Sequence, residues 1–152
     1  MKAFHEVRNY SSDLMVWYSS YENISFVAHW QKEIELVYIC SGEASFHVAD
    51  HSFTAHAGDL VICESGHIHY SDSYNTKNIL DFLIFDTNLI SSRFHNPHFK
   101  HALVTAEELK EYNLIDALQR VFTLIPKELD QKQPYYKDIV SSAIRELWFL
   151  LK

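Results

Sequence analysis

Positive charge, glycine and cysteine are all scarce in this sequence, and each scarcity removes a class of function. Thirteen Lys and Arg stand against twenty Asp and Glu, for a formal net charge of −7, and no basic run hides among them. That excludes the electrostatic footprint of direct nucleic-acid binding by these residues, and a basic face for an anionic membrane. No apolar run is long enough to span a bilayer, and Met1 leads straight into polar sequence. Neither a membrane helix nor a signal peptide is expected, and the expected location is the cytoplasm. Two cysteines, Cys40 and Cys63, lie in apolar strand patterns and read as buried free thiols. Repeats and low-complexity stretches are absent. So are a Gly-x-Ser-x-Gly elbow, a phosphate loop and a dinucleotide fingerprint. Glu33 and Glu35 share a strand, without an acid partner that would suggest hydrolysis.

What the sequence does have is aromatic residues and strand punctuation. Ten Phe, nine Tyr and three Trp are spread over 152 residues, enough for one domain with a real core, or one domain plus an appended element. The three glycines, Gly42, Gly58 and Gly66, fall between strand-like runs, where a positive φ is needed. Residues 14–18, 24–30, 33–41, 60–63 and 79–85 read as strands. Residues 44–49 and 52–56 read as a hairpin turning at Asp50-His51. Strands at this spacing argue for a sandwich or barrel.

After about residue 104 the period changes. Thr105-Ala-Glu-Glu108 is a capping box, and apolar residues recur at helical spacing from Leu109 to Ile125. Pro126 is expected to end or kink that helix, and 127–133 to be a charged linker. Pro134 then opens a second helix with a broad apolar stripe that includes Ile144, Leu147, Trp148 and Leu151. It reaches Lys152 without a capping glycine, which reads as the end of a piece of a longer protein. The expected division is a barrel over 1–104 and a helical segment over 105–152. The stripe is expected to bury against the barrel, the preceding helix or a second subunit.

Two segments carry candidate chemistry. In a strand, residues two apart share a face, which groups His29, Gln31 and Glu35. His69 follows the second glycine turn, and convergence of the four gives two imidazoles, a carboxylate and an amide. Imidazole and carboxylate suit Zn, Fe, Ni or Mn, so His29, Glu35 and His69 form a possible metal triad. The competing reading has them hydrogen-bond an organic ligand or the backbone. Trp17, Trp30 and Phe82 are candidate pocket walls, and His47, His67 and Asp81 are further polar candidates. His95, His98 and His101 read as a solvated loop.

The run His29-Trp30-x-x-Glu33-Ile34-Glu35-Leu36-Val37-Tyr38-Ile39-x-Ser41-Gly42 resembles the first strand motif of the N-terminal ligand-binding domain of AraC-type transcription regulators. Ala57-Gly58-Asp59-Leu60-Val61, followed by Gly66-x-x-His69, resembles the second. Gln31 stands where the usual pattern has a second histidine, and Glu64 stands where many cupins have proline. The resemblance implies a mainly β, cupin-like jelly-roll barrel followed by two C-terminal helices. It implies a sensor and not an enzyme, with no cofactor and a small effector, often a sugar. His29, Gln31, Glu35, His69 and His47 would bind that effector, with Trp17, Trp30 or Phe82 stacked on it. It further implies a homodimer formed through Ile144, Leu147, Trp148 and Leu151, an N-terminal arm over Met1–Asp13, and DNA contact through a separate helix-turn-helix module. The rival is a metal-dependent cupin enzyme, a dioxygenase or isomerase. A third reading is a dimeric interaction module with a vestigial pocket.

Overall fold

The computed structural model describes residues 1–10, 12–73, 75–90 and 98–152. His95 of the expected histidine loop lies outside them. Among the described residues nine strands run in the order β1 (Phe4–His5), β2 (Val16–Glu22), β3 (Phe26–Trp30), β4 (Ile34–Val48), β5 (His51–His56), β6 (Leu60–Cys63), β7 (His69–Asp72), β8 (Asn78–Phe85) and β9 (Leu103–Val104). Among the same residues a 3-10 turn at Thr87–Ile90 precedes β9, and three α-helices follow it: α1 (Ala106–Glu111), α2 (Ile115–Gln131) and α3 (Tyr136–Leu151). The expected mainly β jelly roll with C-terminal helices is the architecture observed.

The fold turns on β4, which belongs to two sheets. Its first half pairs with β6 and β8, and β2 and β9 extend that sheet. Its second half pairs with β5 and β7, and β3 and β1 extend the other sheet. Sequence reading ended this strand at Ser41-Gly42; the strand instead passes through Gly42 with an irregularity between Ile39 and Ser41. Gly42 has φ +74°, and a Cβ there would lie 1.8 Å from the Lys77 carbonyl oxygen. The missing side chain lets the chain bend from one sheet to the other against its neighbour's backbone. The hairpin turn sits one residue earlier than expected, with Val48 opposite His51 and Ala49 at φ +54°.

Alternation along β4, β6 and β8 builds two cores. Val37, Ile39, Val61, Cys63, Leu80 and Phe82 point between the sheets. Leu36, Leu60, Ile62, Leu83 and Phe85 point outward and are covered by the helices. Strands buried on both faces read as near-continuous apolar runs, which is why their sequence is so hydrophobic. Trp148 sits in the outer core, its ring edge-on to Phe85 at 6.1 Å and to Phe99 at 5.0 Å. Cys63 is buried, and burial pushes its thiol well up. Cys40 is exposed, contrary to expectation, and falls at the irregularity between Ile39 and Ser41.

The helical segment departs from its sequence reading in three places. The Thr105 capping box forms, but the helix stops after Glu111, and Asn113 at φ +57° separates α1 from α2. Asn tolerates this left-handed conformation better than most residues. α2 then runs through Pro126 to Gln131, so most of the expected charged linker is helical. Burial of Phe122 and Ile125, with Leu129 packed on the same core, outweighs the hydrogen bond that proline forgoes. Asp59 ties the two parts together: Oδ2 accepts from the His56 amide at 2.8 Å and Oδ1 from the Ala106 amide at 2.8 Å.

Candidate functional site

The polar floor of the site is assembled from three strands and a turn. His29 is the penultimate residue of β3, Gln31 follows that strand, Glu35 lies near the start of β4 and His69 opens β7. All four side chains are buried. Gln31 Nε2 donates to Glu35 Oε2 at 3.0 Å, and His69 Nε2 stands 3.5 Å from the same oxygen. The His29 and His69 rings lie 4.3 Å apart, because the two residues are direct partners in the β3–β7 ladder.

Each imidazole is oriented by its own strand. His29 Nδ1 is 3.0 Å from the Val27 carbonyl and His69 Nδ1 is 2.9 Å from the His67 carbonyl. A carbonyl only accepts, so both Nδ1 atoms carry hydrogen and both Nε2 atoms are left for the site. Burial opposes ionisation of Glu35, yet the His69 and His29 imidazoles and the Gln31 amide hold its carboxyl below the usual range. Burial likewise opposes charging of His69, but Glu35 and the His67 carbonyl hold its pKa above the usual value. Each group thus favours the charged form of the other across the 3.5 Å contact. Gln31 Oε1, Glu35 Oε1 and His69 Nε2 are buried without a hydrogen-bond partner, a costly state that a ligand would relieve. One ligand atom each from His29, Glu35 and His69 lies within 4.8 Å of the others, a donor set suited to a divalent transition metal.

Above this floor lies a cavity of about 230 Å³. Trp17 and Tyr21 from β2, Phe82 and Ile84 from β8, and Phe26 from β3 form its walls. The N-terminal arm crosses its mouth. β1 pairs in parallel with β3, Phe4 stacks on His29 at 5.5 Å, and Glu6 and Arg8 complete the lining. Arg8 lies over the Trp17 ring, 4.1 Å from its centroid, and donates to Glu6 at 2.8 Å.

The structure thus brings His29, Gln31, Glu35 and His69 together, with Trp17 and Phe82 on the walls. It does not bring in Trp30 or His47. Trp30 faces away from the cavity and stacks on His5 at 4.0 Å. His47 lies on the outer face of the β4–β5 hairpin, bonded to Ser52 at 2.7 Å and stacked on Tyr70 at 4.8 Å. Its neighbours Phe46 and Val48 take the inward positions, so alternation sends His47 out. Asp81 accepts from Tyr18 on the helix-facing side, and His67 stacks on His98. Glu64, at the unusual position, accepts from the Phe99 amide at 2.7 Å and pairs with His98 at 3.0 Å.

Tyr21, Phe26, Glu6 and Arg8 were missed by sequence reading. Phe26 and His29 are three apart and both reach the cavity because the β3–β7 register shifts between them. A bulge leaves no mark in an alternation pattern. Ile144, Leu147 and Trp148 are buried in the chain's own core and Leu151 packs against it. The stripe expected to pair two copies is occupied within one chain, while Ile139, Phe149 and Leu150 of α3 are exposed.

Residues 13–79 match the AraC-like ligand binding domain family. The chain is 22% identical over 131 residues to an uncharacterized HTH-type transcriptional regulator, YdeC, of Bacillus subtilis strain 168. The alignment covers 79% of this chain and 44% of that protein, so the chain spans less than half the length of the curated relative it matches. A predicted oxalate decarboxylase of Thermotoga maritima superposes with a TM-score of 0.42 at 26% identity, over 45% of this chain and 64% of the other. A cupin-2 domain protein of Shewanella frigidimarina superposes with a TM-score of 0.42 at 15% identity, over 48% and 72%. Among the described residues no helix is long and apolar enough to cross a membrane.

Proposed function

We propose that this chain, an AraC-like ligand-binding domain, is the effector sensor of a transcription regulator whose DNA contacts lie in a separate module. The observation that carries this reading is a buried polar floor, with three unpartnered polar atoms, beneath an aromatic-walled cavity that the arm crosses. The effector is a small polar molecule with an apolar face. His29, Gln31, Glu35 and His69 engage its polar groups, and Trp17 and Phe82 take its apolar side. Carbohydrates are the class the family resemblance offers first. The regulator acts as a homodimer joined through the helical segment.

The arm couples the site to the helices. Glu6 and Arg8 face the cavity, and Asp13 at the arm's far end pairs with Lys137 on α3. A ligand that favours one arm position shifts the population of helix arrangements, which is how a distant reader is controlled. Thermal-shift screening of soluble effectors tests this, because a ligand that binds only the native state raises its melting point. Gln31→Ala with His69→Ala should abolish the shift. An undiminished shift in that double variant sinks the site assignment.

The triad of His29, Glu35 and His69 favours a second reading, a metal-dependent cupin enzyme. Both Nε2 atoms are left for such a metal by the Nδ1 contacts. Elemental analysis of chelator-free protein separates the two. Stoichiometric Fe, Mn, Ni or Zn, lost in His29→Ala, supports the enzyme, and an empty site supports the sensor.

A further inference from the structure

The cavity's walls and charges specify the class of its effector further than its polarity does, given that it is an effector site. Trp17, Tyr21, Phe82 and Phe26 form a connected series of rings, with successive centroids 6.4, 5.7 and 5.9 Å apart. The face of an aromatic ring carries negative potential, and several rings around one space form a cage that favours a cation. Two carboxylates line the same cavity, Glu35 in the floor and Glu6 at the rim. Glu35 is only 2% exposed, and its Oε1 has no hydrogen-bond partner. A neutral polyol can donate hydroxyls to that oxygen but gains nothing from the ring faces beyond stacking.

One cation is already there. Arg8 lies 4.1 Å from the Trp17 ring centroid and donates to Glu6 Oε2 at 2.8 Å, so its guanidinium sits between a ring face and a carboxylate. Its Nε is buried without a partner, and its side chain is 19% exposed. Those two partners, ring face and carboxylate, are what a free organic cation would use. Arg8 is tethered to the arm, so an effector that takes its place displaces the arm from the mouth.

We propose that the effector is a small organic cation, an alkylammonium, which displaces the Arg8 guanidinium from the Trp17 face and pairs with Glu35. The 230 Å³ volume suits one such molecule, below the size of most drug-like ligands. Arg8 is then an internal competitor. It lowers apparent affinity by the fraction of time it occupies the ring, and its release signals occupancy.

The test is calorimetric titration of the chain with choline and with 3,3-dimethylbutan-1-ol, the uncharged carbon counterpart of the same shape. A carbohydrate panel is run by thermal shift alongside. Choline should bind about tenfold more tightly than the alcohol, and Trp17→Ala should weaken choline by about tenfold. Arg8→Ala should tighten choline binding severalfold, because the competitor is gone. Equal affinity for choline and the alcohol overturns the proposal. So does choline failing to bind even Arg8→Ala, or Arg8→Ala weakening choline. If a carbohydrate binds while choline does not, the cation falls and the sensor reading stands. If neither class binds wild type or Arg8→Ala, both fall.

Discussion

Glu35 and His69 reach the site from opposite sheets and meet with Oε2 and Nε2 3.5 Å apart, both side chains almost wholly buried. Glu35 comes from the half of β4 that pairs with β6 and β8, and His69 from β7 on the other sheet. The pair therefore joins the two sheets at the floor of the cavity.

This contact should show in the pH dependence of stability. His69 is held above its usual 6.5, so its contribution is complete below that pH and fades as pH rises through the higher folded value. Glu35 is held below its usual 4.5, so its contribution is complete above that pH and fades as pH falls through the lower folded value. The pair stabilises fully between about pH 4.5 and 6.5. Melting temperatures of wild type and Glu35→Gln should differ most in that window, and a difference independent of pH from 3 to 9 would refute the ion pair.

Gly42→Ala should cost about 3 kcal/mol or more, since the methyl group meets the Lys77 carbonyl at 1.8 Å and the backbone sits at φ +74°. Denaturant midpoints measure it. A loss under about 1 kcal/mol would mean that the β4 bend relaxes freely.

Leu147→Asp should unfold the chain instead of merely dissociating it, because Leu147 is 1% exposed within the core that joins barrel and helices. Trp148→Ala should cost about 3–5 kcal/mol by the cavity it leaves. Phe149→Asp, on the exposed side of α3, should leave the melting point within about 2 °C of wild type. Circular dichroism with light scattering distinguishes these outcomes. A folded, monomeric Leu147→Asp protein would return the stripe to the role of a dimer surface.

Asp59→Ala should cost about 2–3 kcal/mol, because it removes the part-buried, charge-assisted hydrogen bonds to the His56 and Ala106 amides at once. Hydrogen exchange at Ala106 should accelerate more than at Leu118 in the middle of α2. Equal acceleration at both would mean that Asp59 supports the fold globally and does not tether the helix start.

The sequence by itself determined whatever depends on near neighbours along the chain. The two-residue period of the strand put Glu35, Val37 and Ile39 on one face, and Thr105 with Glu108 set where the helices begin. His29, Gln31, Glu35 and His69 were identified from their place in two recognisable segments. Tertiary structure decided what depends on partners. The bulge that turns both Phe26 and His29 into the cavity exists only in the pairing of β3 with β7. The bend at Gly42 needs the Lys77 backbone beside it, and the helix through Pro126 needs the core that buries Phe122 and Ile125. Trp17 and Trp30 look alike in sequence, yet one lines the cavity and the other stacks on the arm outside it. Arg8 becomes part of the site only when the arm crosses the mouth, a contact between chain positions whose proximity no local periodicity encodes.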